Sequence, residues 1–313
     1  MQTPQFTILL YYKFVLLESP DAIRYEQEEI CKKLSLKGRI LIAPEGINGT
    51  VSGLHADVEE YRSFMLDHPS FAGIEFKTDV HDKHVFEKLH VRVKPEIVHF
   101  GLPELKVDPT AANYIEPEEF RKVISGNDPD TIILDARSNV ETRVGKFRNA
   151  VTLDIENFRD LPAKLPELEP YKEKKIITYC TGGIKCEKVT AWMKENGFEN
   201  VHQLHGGIVR YGKEANGEGF EGSCYVFDQR VSVRVNLVDP AVVGLCKVCG
   251  TNETEFIINC ANADCNDHFL ICKECSIRLD GCCSEECQES PRRRTWDGRG
   301  YYLRGINSKT FAG

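Results

Sequence analysis

Apolar residues along this chain fall in short runs divided by charged stretches, and their spacing changes several times. Phe6–Leu17 is dense in β-branched, aromatic and aliphatic residues and predicts a strand, which Pro20 and Asp21 break. Asp21–Leu36 takes up the charged and apolar spacing of a helix. Gly38–Ile42 predicts a second strand, Pro44-Glu-Gly-Ile-Asn-Gly49 a turn, Thr50–Gly53 a short strand, and Ala56–Leu66 a helix burying Tyr61, Phe64 and Met65. Ile74–Thr78 and Val91–Val98 read as further strands. The resulting βαββαβ order is the ferredoxin-like (acylphosphatase-like) plan, assigned to residues 1–105. Two helices would cover one face of its sheet and leave the other for a partner or another domain.

A linker containing Gly101-Leu-Pro103 and Asp108-Pro-Thr110 then gives way to a different rhythm. Pro117, with acids around it, suits a helix start. Thr131–Leu134 and Lys175–Tyr179 are short apolar runs of the kind that form buried parallel strands; Val189–Asn196 reads as helix and Val201–Leu204 as strand. Alternating strands and helices predict an open α/β domain over residues 112–240, including a C-terminal connector. Residues 241–290 form a cysteine-rich module and residues 291–313 a basic aromatic tail, so the overall class is α/β with one α+β domain and one small metal module.

Composition narrows the possibilities. The formal charge is −8, which argues against a broad polyanion-binding surface but leaves room for a local basic groove. No apolar run reaches the roughly 18–20 residues a membrane helix needs. Met1–Gln5 lacks a basic region ahead of Phe6–Leu10, so that run is expected as a buried strand and not as a signal peptide. Nine of the thirteen cysteines lie between Cys246 and Cys287, a compact clustering that favours metal ligation in a reducing, cytoplasmic compartment over an extracellular disulfide framework.

The module pairs Cys246 with Cys249, Cys260 with Cys265, and Cys272 with Cys275, followed by Cys282, Cys283 and Cys287. Enough thiolates are present for two structural Zn²⁺ ions. One assignment interleaves the pairs: Cys246, Cys249, Cys272 and Cys275 on one ion; Cys260, Cys265, Cys287 and either Cys282 or Cys283 on the other. A sequential assignment, a His268 ligand and iron–sulfur ligation stay open. In the tail, Arg292, Arg293, Arg294, Trp296, Arg299, Tyr301, Tyr302 and Arg304 suit an RNA-contact strip by phosphate attraction and base stacking, or an arm docked on another domain.

The sharpest chemical signal is Tyr179-Cys-Thr-Gly-Gly-Ile-Lys-Cys-Glu187. A buried strand delivers Cys180, and Thr181, Gly182, Gly183, Ile184 and Lys185 curve into a helix. Converging backbone N–H groups and the helix terminus would stabilise a thiolate there. Cys186 is either a resolving thiol or a core-facing helix residue. Upstream stands Asp135-Ala-Arg137, then Glu141, Gly145 and Phe147-Arg-Asn-Ala150. Taken together, these two elements resemble a rhodanese domain, in which Cys180 would handle sulfur or perform another thiolate reaction, with Asp135 and Arg137 supporting the loop. Thr181 stands where many rhodaneses carry arginine, which argues against ordinary thiosulfate-to-cyanide transfer.

With the flanking runs Ile42–Val51, Val91–Val98 and Gln203-Leu-His-Gly-Gly-Ile208 in order, the chain resembles the rhodanese-related tRNA uridine hydroxylase family over about residues 6–290. That resemblance implies oxygen-dependent 5-hydroxylation of wobble uridine in a tRNA anticodon loop, an essential Cys180, molecular oxygen as co-substrate and an unspecified electron donor. It also implies a ferredoxin-like segment that helps hold tRNA, with Arg92 and Lys94 as backbone contacts or, alternatively, as a solvated strand edge. Asn48 is either functional or simply part of its turn. Two other readings remain: a sulfurtransferase carrying a Cys180 persulfide, and a non-catalytic, zinc-stapled RNA-binding or scaffold protein. The sequence leaves the oligomeric state open.

Overall fold

A computed structural model describes residues 6–298 apart from Asn127. The first segment contains β1 (Phe6–Phe14), α1 (Pro20–Lys33), β2 (Lys37–Ala43), β3 (Gly46–Leu54), α2 (His55–Asp67), β4 (Glu75–His81) and β5 (Leu89–Val93). Strand order is β4-β1-β3-β2-β5, which is the expected ferredoxin-like sheet with β5 added parallel to β2. That added strand ends before Pro95, where the N–H needed for further pairing is missing, so it is shorter than the Val91–Val98 run predicts. The expected turn at Pro44–Gly49 is also shorter. Ile47, Asn48 and Gly49 are already in β3, where Asn48 pairs with both Leu41 and Tyr12. Gly46 takes φ +143°, and a Cβ there would collide with the Lys13 carbonyl, so only glycine serves at this tight hairpin.

Period-two alternation assigns the faces of β1. Leu9 and Tyr11 join Ile40, Ile42, Ile47 and Val51 in the core beneath α1 and α2, with Val58, Tyr61 and Met65. Ile8, Leu10 and Tyr12 point the other way, onto the face without helices.

The second segment carries β6 (Tyr114–Ile115), α3 (Pro117–Gly126), β7 (Thr131–Asp135), α4 (Asn139–Val144), β8 (Gly145–Phe147), β9 (Val151–Thr152), α5 (Leu165–Leu168), β10 (Lys175–Tyr179), α6 (Ile184–Glu195), β11 (Val201–Leu204) and α7 (Gly207–Glu214). Its five-stranded sheet runs β6-β11-β10-β7-β9 with every pairing parallel, and apolar cores lie on both sides. A separate antiparallel layer joins β8 to β12 (Phe220–Tyr225) and β13 (Ser232–Arg234). The last segment is a hairpin, β14 (Ile257–Asn259) with β15 (His268–Leu270), followed by α8 (Lys273–Arg278) and α9 (Glu285–Gln288). No helix among the described residues is long and apolar enough to cross a membrane.

Candidate active site

Strand β10 ends at Tyr179 and α6 begins at Ile184, so the turn between them is only Cys180–Gly183, and Ile184 and Lys185 are the first helical residues. Gly183 makes the reversal at φ +103°. Its amide donates to the Cys180 sulfur at 3.1 Å. The loop is also held from behind. Ile208 and Val209 amides at the start of α7 donate to the carbonyls of Cys180 and Thr181, both at 3.0 Å. A Cβ on Gly207 would strike the Cys180 carbonyl, which explains the His-Gly-Gly run in physical terms.

Burial works against ionising Cys180. It is overcome by the Cys186 thiol, the Lys185 ammonium and the amides of Cys186 and Gly183, which together bring the thiol down to about 6. Cys186, burying its own proton and donating it toward Cys180, is pushed well above the ordinary thiol value. Lys185 is fixed by an ion pair to Glu141 at 2.6 Å and lies between the rings of Phe158 and Phe227, at 5.6 and 5.3 Å from their centres. Glu141 also accepts from Ser138, closing the start of α4.

Asp135 and Arg137 do not reach the sulfur. Both are fully buried: Arg137 grips Asp135 through Nε at 2.9 Å and Nη2 at 2.6 Å, and reaches the Gly145 carbonyl at 2.7 Å. Tyr179 donates to the same carboxylate at 2.5 Å. This brace ties the end of β7 to the residue before Cys180.

The N-terminal sheet turns out to cover the loop. Leu10 rests against Gly182 and the Tyr12 hydroxyl against Gly183. Tyr12 and Tyr114 donate to Glu187 of α6 at 3.0 and 2.9 Å, and the Lys77 ammonium stands 5.0 Å from the Tyr12 ring. A second junction lies one residue along α6, where fully buried Lys188 meets Glu45 at 2.7 Å and Glu96 at 2.8 Å. Glu45 and Asn48 also clamp Ile97, accepting from its amide at 2.7 Å and donating to its carbonyl at 2.9 Å. Asn48 therefore belongs to the clamp that holds Ile97 against the β2–β3 hairpin. As a result Cys180 is only 1% exposed, a more covered thiol than a strand-to-helix turn alone suggests.

In the C-terminal module two cysteine sets gather, each with its sulfurs within 4.8 Å of one another: Cys246, Cys249, Cys272 and Cys275, and Cys260, Cys265, Cys283 and Cys287. This is the interleaved arrangement. Cys283 takes the place left open, while Cys282 is buried in the module's apolar core and lies outside the set. His268 likewise stays outside, facing the Tyr225 hydroxyl at 3.5 Å. Tetrahedral zinc–thiolate bonds would set sulfurs about 3.8 Å apart, and Cys283 stands 3.7 Å from both Cys265 and Cys287. Side-chain amides of Asn252 and Asn262 donate to Cys272 and Cys287 at 3.3 and 3.5 Å. The donor sets suit metal ions held for structure, with no position open to a substrate.

The start of the tail is docked on this module. Arg292 pairs with Asp264 at 2.5 Å, Arg293 with Asp280 at 2.6 Å, and Arg294 binds the Ala261 carbonyl at 3.2 Å and Asn266 at 2.8 Å. Trp296 packs over Gly281. These contacts match the docked-arm alternative for this segment, while Arg292 and Arg293 keep exposed side chains. Arg299, Tyr301, Tyr302 and Arg304 lie outside the described residues.

Comparison with known proteins finds three family models along the chain. Residues 6–97 match the family described as UPF0176 acylphosphatase like domain, residues 116–214 the rhodanese-like domain, and residues 221–288 the rhodanase C-terminal family. Similarity also extends along the whole chain. A tRNA uridine(34) hydroxylase of Cytophaga hutchinsonii is 50% identical over 304 residues, spanning 96% of each chain. One from Listeria welshimeri is 46% identical, covering 91% of this chain and 90% of that one. The chain belongs to the tRNA uridine(34) hydroxylase family. Within that family frame, Cys180, its loop, Lys185, Cys186, Glu141 and the Asp135–Arg137 brace are the predicted residues that the fold brings together. Arg92 on the edge strand β5 and Lys94 just past its end are exposed, away from the loop in sequence and in strand order. Leu10, Tyr12, Lys77, Glu187 and Phe227 surround the loop without having been singled out. The alternation of Ile8, Leu10 and Tyr12 was the available signal, since a large apolar and aromatic row on a helix-free face requires a partner.

Proposed function

We propose that this chain hydroxylates C5 of the wobble uridine of tRNA, with Cys180 as the reactive group. The observation that carries the reading is a thiol drawn down to about 6 at the head of α6, in a chain alike over its full length to tRNA uridine(34) hydroxylases. Addition of the Cys180 thiolate to C6 of the base places carbanion character at C5 and enolate charge on O4. Carbon C5 takes up O₂ and a proton as a hydroperoxide. An external two-electron donor and two protons reduce it to the C5 alcohol and water. Loss of the C5 proton and departure of the thiolate from C6 restore the ring. The Gly183 and Cys186 amides, which favour the thiolate before addition, favour it again as leaving group. Cys180 is covered in this conformation, so the base enters only as side chains around the loop yield. A flipped-out base costs little in a single-stranded anticodon loop.

Arg92 and Lys94 serve as phosphate contacts in this proposal. Exposed Arg39 of β2 stands in register with His90 of β5, which adds a basic residue beside them on the neighbouring strand. The clustered thiols of the module are assigned to two structural zinc ions, and the tRNA substrate and reduced thiols favour a cytoplasmic location. Incubating tRNA with the intact protein and with Cys180→Ser, in air and without oxygen, tests the reading. Mass spectrometry of the nucleosides is expected to find 5-hydroxyuridine only with the intact protein in air. Thiolated nucleoside would point to sulfur transfer, and RNA binding with neither product to a scaffold.

A further inference from the structure

Beside the Cys180 loop stands an aromatic side chain that packing covers only in part. Phe227, at the end of the β12–β13 hairpin, is 52% exposed. The turn that presents it is held unusually firmly. Asp228 accepts from the Arg230 amide at 3.0 Å, Nε at 2.8 Å and Nη2 at 2.6 Å. Arg230 reaches on to Asp79 of β4 at 2.6 Å, and the Gln229 amide donates to the Val85 carbonyl at 3.0 Å. Val231 takes φ +62°, a costly conformation for a β-branched residue. Two domains thus fix a strained turn whose outermost side chain is an open phenyl ring.

Its position is equally specific. Tyr225 meets the Phe227 ring edge-on with centres 5.1 Å apart, and the Tyr225 carbonyl accepts from the Thr181 hydroxyl of the active-site loop at 3.3 Å. Lys185 lies 5.3 Å from the Phe227 ring centre. The ring therefore stands beside Lys185 at the head of α6, its neighbour Tyr225 is bonded to the loop that carries Cys180, and about half of its surface is free.

We propose that Phe227 is a stacking platform for a nucleobase at the Cys180 site, either the reacting uridine or a neighbour in the anticodon loop. A flat, fixed, exposed ring suits the π-face of any base, and base–aromatic stacking contributes enough that its loss weakens binding roughly tenfold. The inference rests on Cys180 being the reaction centre, since that is what makes this location a substrate site.

The test is a series at one position in the full-length protein, read by the KM for tRNA hydroxylation and by iodoacetamide capture at Cys180. Phe227→Ala is expected to raise KM roughly tenfold, Phe227→Leu to behave like the alanine variant, and Phe227→Trp to stay near the wild-type value, all with unchanged capture at Cys180. An unchanged KM in Phe227→Ala overturns the proposal. So does full rescue by leucine, which supplies apolar cover without a π-face, or a KM change that tracks altered Cys180 capture, which would mean that the ring acts through Lys185. A Cys180→Ser protein that still hydroxylates tRNA would instead refute the assignment of Cys180, and that outcome is read separately from the Phe227 series.

Discussion

The Cys180 loop and the C-terminal module both concentrate cysteine, yet they surround it in opposite ways. In the module, sulfurs stand in two sets of four, close enough to share an ion and supported by side-chain amides. At the loop, one sulfur faces backbone amides, one neighbouring thiol and an ammonium. Cys31 and Cys224 provide the contrast for both: each is buried without enough compensation and pushed up to about 12. Burial alone makes a thiol inert. What surrounds the sulfur decides whether it ligates, reacts or only packs.

The largest expected effect separates the two regions. The purified protein should contain near two zinc ions, and stripping them should unfold the module, because binding energy at such sites is folding energy, about 10–16 kcal/mol for a zinc site of this kind. Retained protease resistance of residues 246–287 in metal-free protein would break the assignment. The Cys180 region should respond instead to the domain junction. Lys188→Met leaves Glu45 and Glu96 facing one another without their cation and should cost about 3–5 kcal/mol in denaturant unfolding. A loss below about 1 kcal/mol would mean that the junction is solvated rather than locked. Cys186→Ala removes a donor to the thiolate and should raise the Cys180 titration midpoint by about one unit. Tyr12→Phe deletes one hydrogen bond to Glu187 and should lower stability by about 1 kcal/mol.

Most of the fold was legible because its signals are local. Period-two and helical spacing located β1, α1, α2, β7 and β10, and the paired cysteines outlined the module. The Cys180 turn was legible for the same reason, since strand, cysteine, two glycines and helix are consecutive. Contacts between distant segments were not. Nothing near Glu187 announces that Tyr12, 175 residues earlier, supplies its hydrogen bond. The Pro-Glu-Gly-Ile-Asn-Gly run was visible as distinctive, but its purpose as a clamp on Ile97 and Lys188 depends on three elements meeting. The arginines after Pro291 show the same limit: their composition suits either RNA contact or a docked arm, and only the fold sets Asp264 and Asp280 opposite Arg292 and Arg293.

A thiol with a value near 6 is mostly ionised at neutral pH and loses that charge as the pH falls through 6, so hydroxylation should decline on the same acid limb. The direct measurement is the pH dependence of iodoacetamide capture at Cys180, read on its own peptide by mass spectrometry in the folded protein. The structure predicts a midpoint near 6, well below that of an unperturbed thiol. A midpoint at or above the ordinary value of about 8.5 would contradict the account.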